Sequence, residues 1–327
     1  MISKKFLTTF MAFCCLSCVA FGDEEQNSLA TQIQITKEAC SGISDKMSGM
    51  KTMAGINTAV TGVGTVTGGA ALGTGIAKAD TDQQIENWET ILDEMIKING
   101  PQTENFTTIR ILSEEELEEE LNGLYEYTGD RKRARSYVSN IKTATEKSKT
   151  LGKIRTGTMA ASAVADTAGT IIALNNRIDQ DLQDQIDDCI AAVDTLNNER
   201  FRARAENSAT EDELDTADQI IDACSSWRNV DLSSVDKRAM GAAVSGGTGA
   251  ALAIAGTITS AKANSDEVRN QNDEAGKAKE KNLNTTSNVL AGGATVASAA
   301  ATVFNATQIS AIKKAVSAAD KCEEALK

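Results

Sequence analysis

Histidine is absent from this 327-residue sequence, and proline occurs only once. Without imidazole the chain lacks the usual general base and the commonest metal ligand, which excludes a Ser-His-Asp triad, a Cys–His nucleophile and a histidine-bound zinc site. A single proline over this length is typical of an all-helical protein, because proline breaks helices. We find no catalytic, cofactor-binding or metal-binding signature and expect no enzymatic activity.

Positive charge and aromatic side chains are also scarce. The net charge is −13, the isoelectric point is about 4.7, and aromatic residues make up 4% of the chain. Nucleic-acid binding needs a basic face that neutralises phosphates, so a nucleic-acid partner is not expected. The acidic balance suits a well-solvated protein outside the cytoplasm.

The N-terminus has the pattern of a targeting segment. Lys4 and Lys5 precede an apolar run over residues 6–20, and small residues at Ala20 and Gly22 precede Asp23. This pattern predicts a signal peptide over residues 1–22 and export to the periplasm, the cell envelope or the medium. The alternatives are a short N-terminal membrane anchor and a lipoprotein lipidated at Cys18, since residues 16–18 loosely resemble a lipobox.

Four charge-poor stretches dominate the remaining sequence, and they are rich in glycine, alanine and threonine. They lie between Lys51 and Lys78, Arg155 and Arg177 (interrupted by Asp166), Arg238 and Lys262, and Lys281 and Lys313. Small residues four apart, as in Gly64/Gly68 and Gly69/Gly73, form a smooth stripe on a helix and allow close backbone packing. A helix-interior glycine costs about 1 kcal/mol relative to alanine, so we expect contact with partner helices to offset that cost.

The chain also contains an internal repeat. A shift of 184 residues aligns Cys40 with Cys224 and aligns the Ala-Lys-Ala tripeptide at 77–79 with the one at 261–263. The return arms align at a shift of 132, which places Cys189 within one residue of Cys322. The sequence therefore predicts two helical hairpins, of which the second repeats the 40–189 core of the first.

These observations predict an all-α fold: an elongated four-helix bundle of two duplicated long hairpins, with coiled-coil seams and tight Gly/Ala packing. We expect a first long helix within residues 23–79, beginning near Ser28. The return helix is assigned to residues 151–202, and its helical pattern already starts at about Asp130 or Arg135. The second hairpin occupies residues 203–327. Residues 80–150 form a small helical insert, or head, and Thr210 with Glu213 is predicted to cap a helix.

Four cysteines remain after removal of the signal peptide: Cys40, Cys189, Cys224 and Cys322. An even number in an oxidising compartment indicates two disulfides. Two pairings respect the repeat, Cys40–Cys189 with Cys224–Cys322, or Cys189–Cys224 with Cys40–Cys322. We prefer the first because each hairpin then closes itself, and the alternative to both is a set of free buried thiols.

The predicted head carries the candidate partner surface. Aromatic residues and arginine are favoured at interfaces, and the surface comprises Trp88, Tyr125, Tyr127, Arg131, Lys132, Arg133 and Arg135. The aromatic residues equally suit a small core of the insert itself. The basic cluster equally suits neutralisation of the acidic run at residues 114–120, which we interpret as a solvated helix face rather than a cation site.

These features favour an exported structural or partner-binding protein, such as a stalk or adhesion module that binds a protein or associates with itself. The alternative is a membrane-active or membrane-anchored protein whose Gly/Ala-rich hairpins insert in the bilayer. The four stretches are long enough to span one. However, Asn57, several threonines and Asp166 make them weakly apolar, so composition favours a tight soluble core.

Overall fold

The computed structural model describes residues 28–99, 131–269 and 274–327. All regular elements within these ranges are helical and none is a β-strand, which confirms the all-α prediction. The predicted signal peptide and the acidic run lie outside the described residues. The helices are α1 (Leu29–Cys40), α2 (Ile43–Asn99), α3 (Arg131–Asn175), α4 (Gln180–Glu206), α5 (Glu211–Cys224), α6 (Leu232–Ala263), α7 (Asp266–Arg269) and α8 (Glu274–Ala325), with a 3₁₀ turn at Ser225–Asn229.

The first long helix begins where the sequence predicts but is interrupted. Ser28 caps α1, and its hydroxyl accepts a hydrogen bond from the backbone N–H of Thr31. Between α1 and α2, Gly42 has a φ of 76°, a left-handed conformation that glycine adopts without a steric penalty. The prediction of one continuous helix to about residue 79 was therefore wrong at Ser41 and Gly42.

The two long helices also end at other positions than predicted. The helix α2 continues to Asn99, because no glycine or proline follows residue 79 until Gly100 and apolar residues recur at helical spacing. The return helix is broken between Asn175 and Gln180, where Asp179 caps α4 by accepting a hydrogen bond of 2.8 Å from the Leu182 N–H. The described parts of the predicted head thus continue α2 and α3.

The predicted capping box is present at the start of α5. Glu213 accepts hydrogen bonds from the backbone N–H and the hydroxyl of Thr210, at 2.8 and 2.9 Å. These two bonds favour the charged carboxylate and hold the pKa of Glu213 below its usual range.

The described chain divides into two compact units. The first comprises residues 28–50, 178–232 and 311–327, and its core consists of large apolar side chains and cysteines. The predicted coiled-coil seams are rows of apolar residues that recur at steps of three, four or seven. Most of their positions are buried in this unit, namely Leu29, Ile33, Cys40, Ile43 and Met47, and Leu182, Ile186, Cys189, Val193 and Leu196. No charged side chain in the described part of this unit is buried.

The second unit comprises residues 51–99, 131–177, 233–269 and 274–310. Its helices meet mainly through alanine, in clusters such as Ala163 with Ala253 and Ala294. Backbones approach closely where glycine faces a neighbouring helix: a Cβ on Gly64 would overlap the carboxylate of Asp166. The predicted tight packing is present along Gly64/Gly68. By contrast, the space beside Gly69 and Gly73 is open.

Candidate functional site

Polar side chains share the interior of the second unit with alanine, at positions where a soluble bundle would have larger apolar residues. The buried polar and charged residues of its described part are Asn57, Thr61, Lys78, Thr81, Ser148, Arg155, Ser162, Asp166, Asn176, Ser260, Asn284, Ser287, Ser298, Asn305 and Gln308. In the described part of the first unit, only Thr36 and Ser44 belong to this class. The polar interior of the second unit is therefore the candidate site.

Asp166 of α3 contacts the other three long helical segments of this unit. Its Oδ2 accepts hydrogen bonds from the hydroxyls of Ser298 on α8, at 2.7 Å, and Ser162 on α3, at 3.3 Å. Gly64 of α2 and Gly249 of α6 face the carboxylate, and their missing side chains leave the space that it occupies. Oδ1 has no hydrogen-bond partner within the described part of the chain.

Residues predicted to be equivalent in the two hairpins meet in this interior. Asp166 and Ser298 are separated by 132 residues, the shift that aligns the return arms. The same separation relates Asn176 and Gln308, whose Nε2 donates to the Asn176 carbonyl at 3.1 Å. The polar positions of α3 thus face the corresponding positions of α8.

Neutral hydrogen bonds join α2 to α8 in the same interior. Asn57 Nδ2 donates to Asn305 Oδ1 at 2.9 Å, and Asn305 Nδ2 donates to the Thr61 hydroxyl at 3.3 Å. The hydroxyls of Thr65 and Thr302 lie 3.3 Å apart. Buried amides and hydroxyls are costly without partners, so these contacts favour one register of the two helices.

Two further buried charges, Lys78 on α2 and Arg155 on α3, lie where charge-poor stretches end. Lys78 Nζ is 2.6 Å from Asp82 Oδ2 and 3.4 Å from Glu280 Oε1, so its charge is compensated. Arg155 donates from Nη2 to the Asn284 carbonyl at 3.2 Å. Its Nε and Nη1 have no hydrogen-bond partner among the described residues.

Large apolar side chains cover the outside of the same helices. Val66, Val164 and Val296 are 72%, 71% and 71% exposed. They belong to a larger set on all four segments: Met53, Ile56, Val63, Val66, Ile76, Ile154, Val164, Ile171, Leu174, Met240, Val244, Ile254, Ile258, Val289, Val296, Val303 and Phe304. The charge-poor segments therefore bury mainly alanine and polar side chains and expose most of their large apolar ones.

Three described helical spans are long and apolar enough to cross a membrane: Lys132–Glu206, Leu232–Ala263 and Ala275–Ala325. They contain the second, third and fourth charge-poor stretches. The first stretch, on α2, has the same arrangement of exposed valines and isoleucines but more threonine and glycine.

The predicted disulfides lie in the core of the first unit. Cys40 is bonded to Cys189 and Cys224 to Cys322, the pairing in which each hairpin closes itself. The Sγ atoms of Cys40, Cys224 and Cys322 lie within 4.8 Å of one another, so the two disulfides are at one level of the unit. Because every one of these sulfurs is bonded to another, they offer no thiolate to a metal ion.

The predicted partner surface is described only in part. Trp88 packs with Tyr137 against a small core of Ile85, Leu92, Ala134, Val138, Ile141 and Ala144. Lys132, Arg133 and Arg135 are exposed, whereas Tyr125 and Tyr127 lie outside the described residues. Arg131 begins α3. Trp88 therefore serves a core between α2 and α3, and a partner surface stays a prediction for the basic residues.

Sequence reasoning did not identify the interior charges as site residues. In the sequence, Lys78 and Arg155 mark only the ends of charge-poor stretches, and Asp166 marks only the interruption of one stretch. Two signals were available in retrospect: Ser162 precedes Asp166 by one helical turn, and Ser298 occupies the equivalent position of the repeat.

No protein-family model, curated protein or solved structure matches the chain.

Proposed function

We propose that the protein is an exported, non-enzymatic membrane protein whose four charge-poor helical segments form a bilayer-spanning bundle. The observation that supports this most directly is the inverted burial of the second unit, with Asp166, Asn57 and Asn305 inside and Val66, Val164 and Val296 outside. In water such an arrangement loses hydrophobic stabilisation on both sides of each helix.

Lipid reverses that balance. Acyl chains solvate valine and isoleucine, so an apolar exterior is stable and the drive to bury it disappears. Helices then associate through small residues that allow close contact and through hydrogen bonds between polar side chains. Alanine clusters, Gly64 and the Asn57–Asn305 bond provide both. Ionisable groups in membrane bundles face the protein interior, as Asp166 does.

The lengths of the stretches also suit a bilayer. The shortest, between Arg155 and Arg177, is helical as far as Asn175 and spans about 30 Å at 1.5 Å rise per residue. A hydrocarbon core is about 30 Å thick. Charged residues bound all four stretches at both ends.

Export is supported by the predicted signal peptide and by the two disulfides, which persist in oxidising compartments. The absence of histidine from the sequence and the neutral character of most interior polar groups support a non-enzymatic role. Interior groups that hydrogen-bond one another hold helices together rather than present a nucleophile or base to a substrate.

A second candidate function is a soluble stalk or partner-binding module, as composition favours. The open space beside Gly69 and Gly73, together with the exposed valines, would then be covered by another protein or by a second copy of this chain. This alternative differs from the membrane proposal in what covers the apolar exterior.

Fractionation of the full chain expressed with its N-terminal segment tests the proposal. We expect the protein in the membrane pellet after alkaline carbonate washing, and its release only by detergent, because lipid-solvated helices resist both salt and high pH. Recovery in the carbonate supernatant as a monodisperse monomer or oligomer would contradict membrane insertion and support the soluble module.

A further inference from the structure

Asp166 carries a buried carboxyl group, and no cation from the described part of the chain pairs with it. Its side chain is fully buried. The groups that reach it are Ser162 on its own helix, Gly64 from α2, Gly249 from α6 and Ser298 from α8, and none of them titrates or is charged. Arg155, a buried cation on the same helix, is eleven residues away, about 16 Å along the axis.

A count of hydrogens shows that the Asp166 carboxylate has too few hydrogen-bond donors. The Ser298 hydroxyl has two acceptors in range, Asp166 Oδ2 at 2.7 Å and the Ala294 carbonyl at 2.8 Å. The Ser162 hydroxyl likewise has two, the Gly64 carbonyl at 3.0 Å and Asp166 Oδ2 at 3.3 Å. Each hydroxyl carries one hydrogen and can satisfy one acceptor at a time.

The second carboxylate oxygen of Asp166 increases the shortage of hydrogen-bond donors. Asp166 Oδ1 is buried and accepts no hydrogen bond within the described part of the chain. The two carboxylate oxygens thus have only two hydroxyl hydrogens in range, and each hydroxyl can instead donate to a helix carbonyl. A bare carboxylate so placed would have a large desolvation cost.

We propose that Asp166 binds a monovalent cation, H⁺ or Na⁺, at the centre of the second unit. A proton on the carboxyl group removes its charge and supplies the missing hydrogen. A sodium ion compensates the charge instead, and the hard oxygen donors of Asp166, Ser162 and Ser298 suit it. The proposal goes beyond membrane insertion and does not depend on it, because protein rather than lipid covers the carboxyl group.

Thermal unfolding of the full chain, in detergent micelles or in buffer according to its solubility, tests this site. The wild type, Asp166→Asn and the control Asp187→Asn, which changes an exposed carboxylate on α4, are compared between pH 5 and pH 8. At pH 8 each is also measured in NaCl and in choline chloride of equal ionic strength.

For H⁺ binding we expect the Tm of the wild type and of the control to fall, relative to Asp166→Asn, by about 2 °C per pH unit as pH rises. The folded protein then holds a proton that the unfolded chain releases. For Na⁺ binding we expect Na⁺ at pH 8 to raise the Tm of those two proteins but not of Asp166→Asn. Identical responses of the wild type and Asp166→Asn to both pH and Na⁺ would overturn the proposal.

Ser298→Ala provides a second test should Asp166→Asn fail to fold. It removes one of the two shared hydroxyl hydrogens without removing the carboxyl group. We expect the pH midpoint of the stability change to move upward if H⁺ binds, because the charged carboxylate loses a hydrogen bond. If Na⁺ binds, more Na⁺ is needed for the same gain in Tm. An unchanged response in both measurements would contradict the assignment.

Discussion

The interiors of the two units differ: large apolar side chains and cysteines fill the first, whereas the charge-poor segments of the second bury mainly alanine and polar side chains. The first has Ile43, Met47 and Leu196 inside and all of its described charged side chains at least partly exposed. The second has Asp166 and Asn305 inside and Val164 outside. Both are built of α-helices from the same repeated hairpin pattern, so secondary structure does not cause the difference.

The difference shows that the direction of burial reports the solvent more directly than composition does. Weakly apolar helices suit either a tight soluble core or a bilayer. The side on which the polar residues lie separates the two cases, because water favours them outside and lipid favours them between helices. The first unit buries its large apolar side chains, as water favours, whereas the charge-poor segments of the second expose most of theirs, which is the arrangement that our membrane proposal requires.

Removal of a disulfide is expected to have the largest effect and to separate the units. Cys224→Ser combined with Cys322→Ser should cost about 2–5 kcal/mol, since the bond joins residues 98 apart in sequence. The Cys40/Cys189 pair, 149 residues apart, should cost as much or slightly more. Amide hydrogen exchange should speed up in residues 28–50, 178–232 and 311–327 first. An equal increase in amide exchange rate at residues 240–260, in the second unit, would show that this disulfide stabilises both units alike.

A lysine substituted for an exposed isoleucine on each unit tests whether lipid surrounds the second unit and water the first. The two isoleucines have similar exposure. Ile254 in the second unit is 50% exposed, and Ile35 in the first is 47% exposed. Ile254→Lys should cost about 3–4 kcal/mol of insertion free energy and reduce the carbonate-resistant fraction. Ile35→Lys should change stability by less than about 0.5 kcal/mol. If both variants behave alike, water surrounds both units.

The smallest effects concern neighbouring glycines of the second unit. Gly68→Ala places a Cβ 2.9 Å from the Thr295 hydroxyl oxygen, whereas Gly69→Ala meets open space. We expect Gly68→Ala to lower stability by about 1–3 kcal/mol through overpacking, and Gly69→Ala to raise it by up to about 1 kcal/mol through helix propensity. Unfolding of the two variants measured side by side checks the prediction. A loss of stability in Gly69→Ala would indicate that another chain packs on that face.

Much of the fold could be predicted from the sequence, because periodicity and capping are local. The seams of α1 and α4, the Thr210–Glu213 capping box and the choice of disulfide pairing follow from spacing and from the repeat. The break at Gly42 was not predicted, since a glycine between helical patterns is compatible with continuation of the helix. The extension of α2 to Asn99 was missed because a change in composition was interpreted as a domain boundary.

The candidate site could be predicted only in part, for a different reason. Gly64/Gly68 and Gly69/Gly73 look alike in sequence, and only tertiary contacts reveal that the first pair faces Asp166 and Ser162. Burial of Lys78 and Arg155 likewise depends on neighbours on α8, such as Glu280 and Asn284. These contacts join residues far apart in the chain, and helical periodicity does not encode them.

The connectivity of the disulfides has a consequence for biogenesis. The four cysteines are bonded in their order along the chain, first with second and third with fourth. During N-to-C export each cysteine therefore emerges directly before or after its own partner, and the first pair can be oxidised before Cys224 reaches the oxidising side. Native pairing then requires an oxidant but no disulfide isomerase, and neither of the two disulfides among the described residues ties one hairpin to the other.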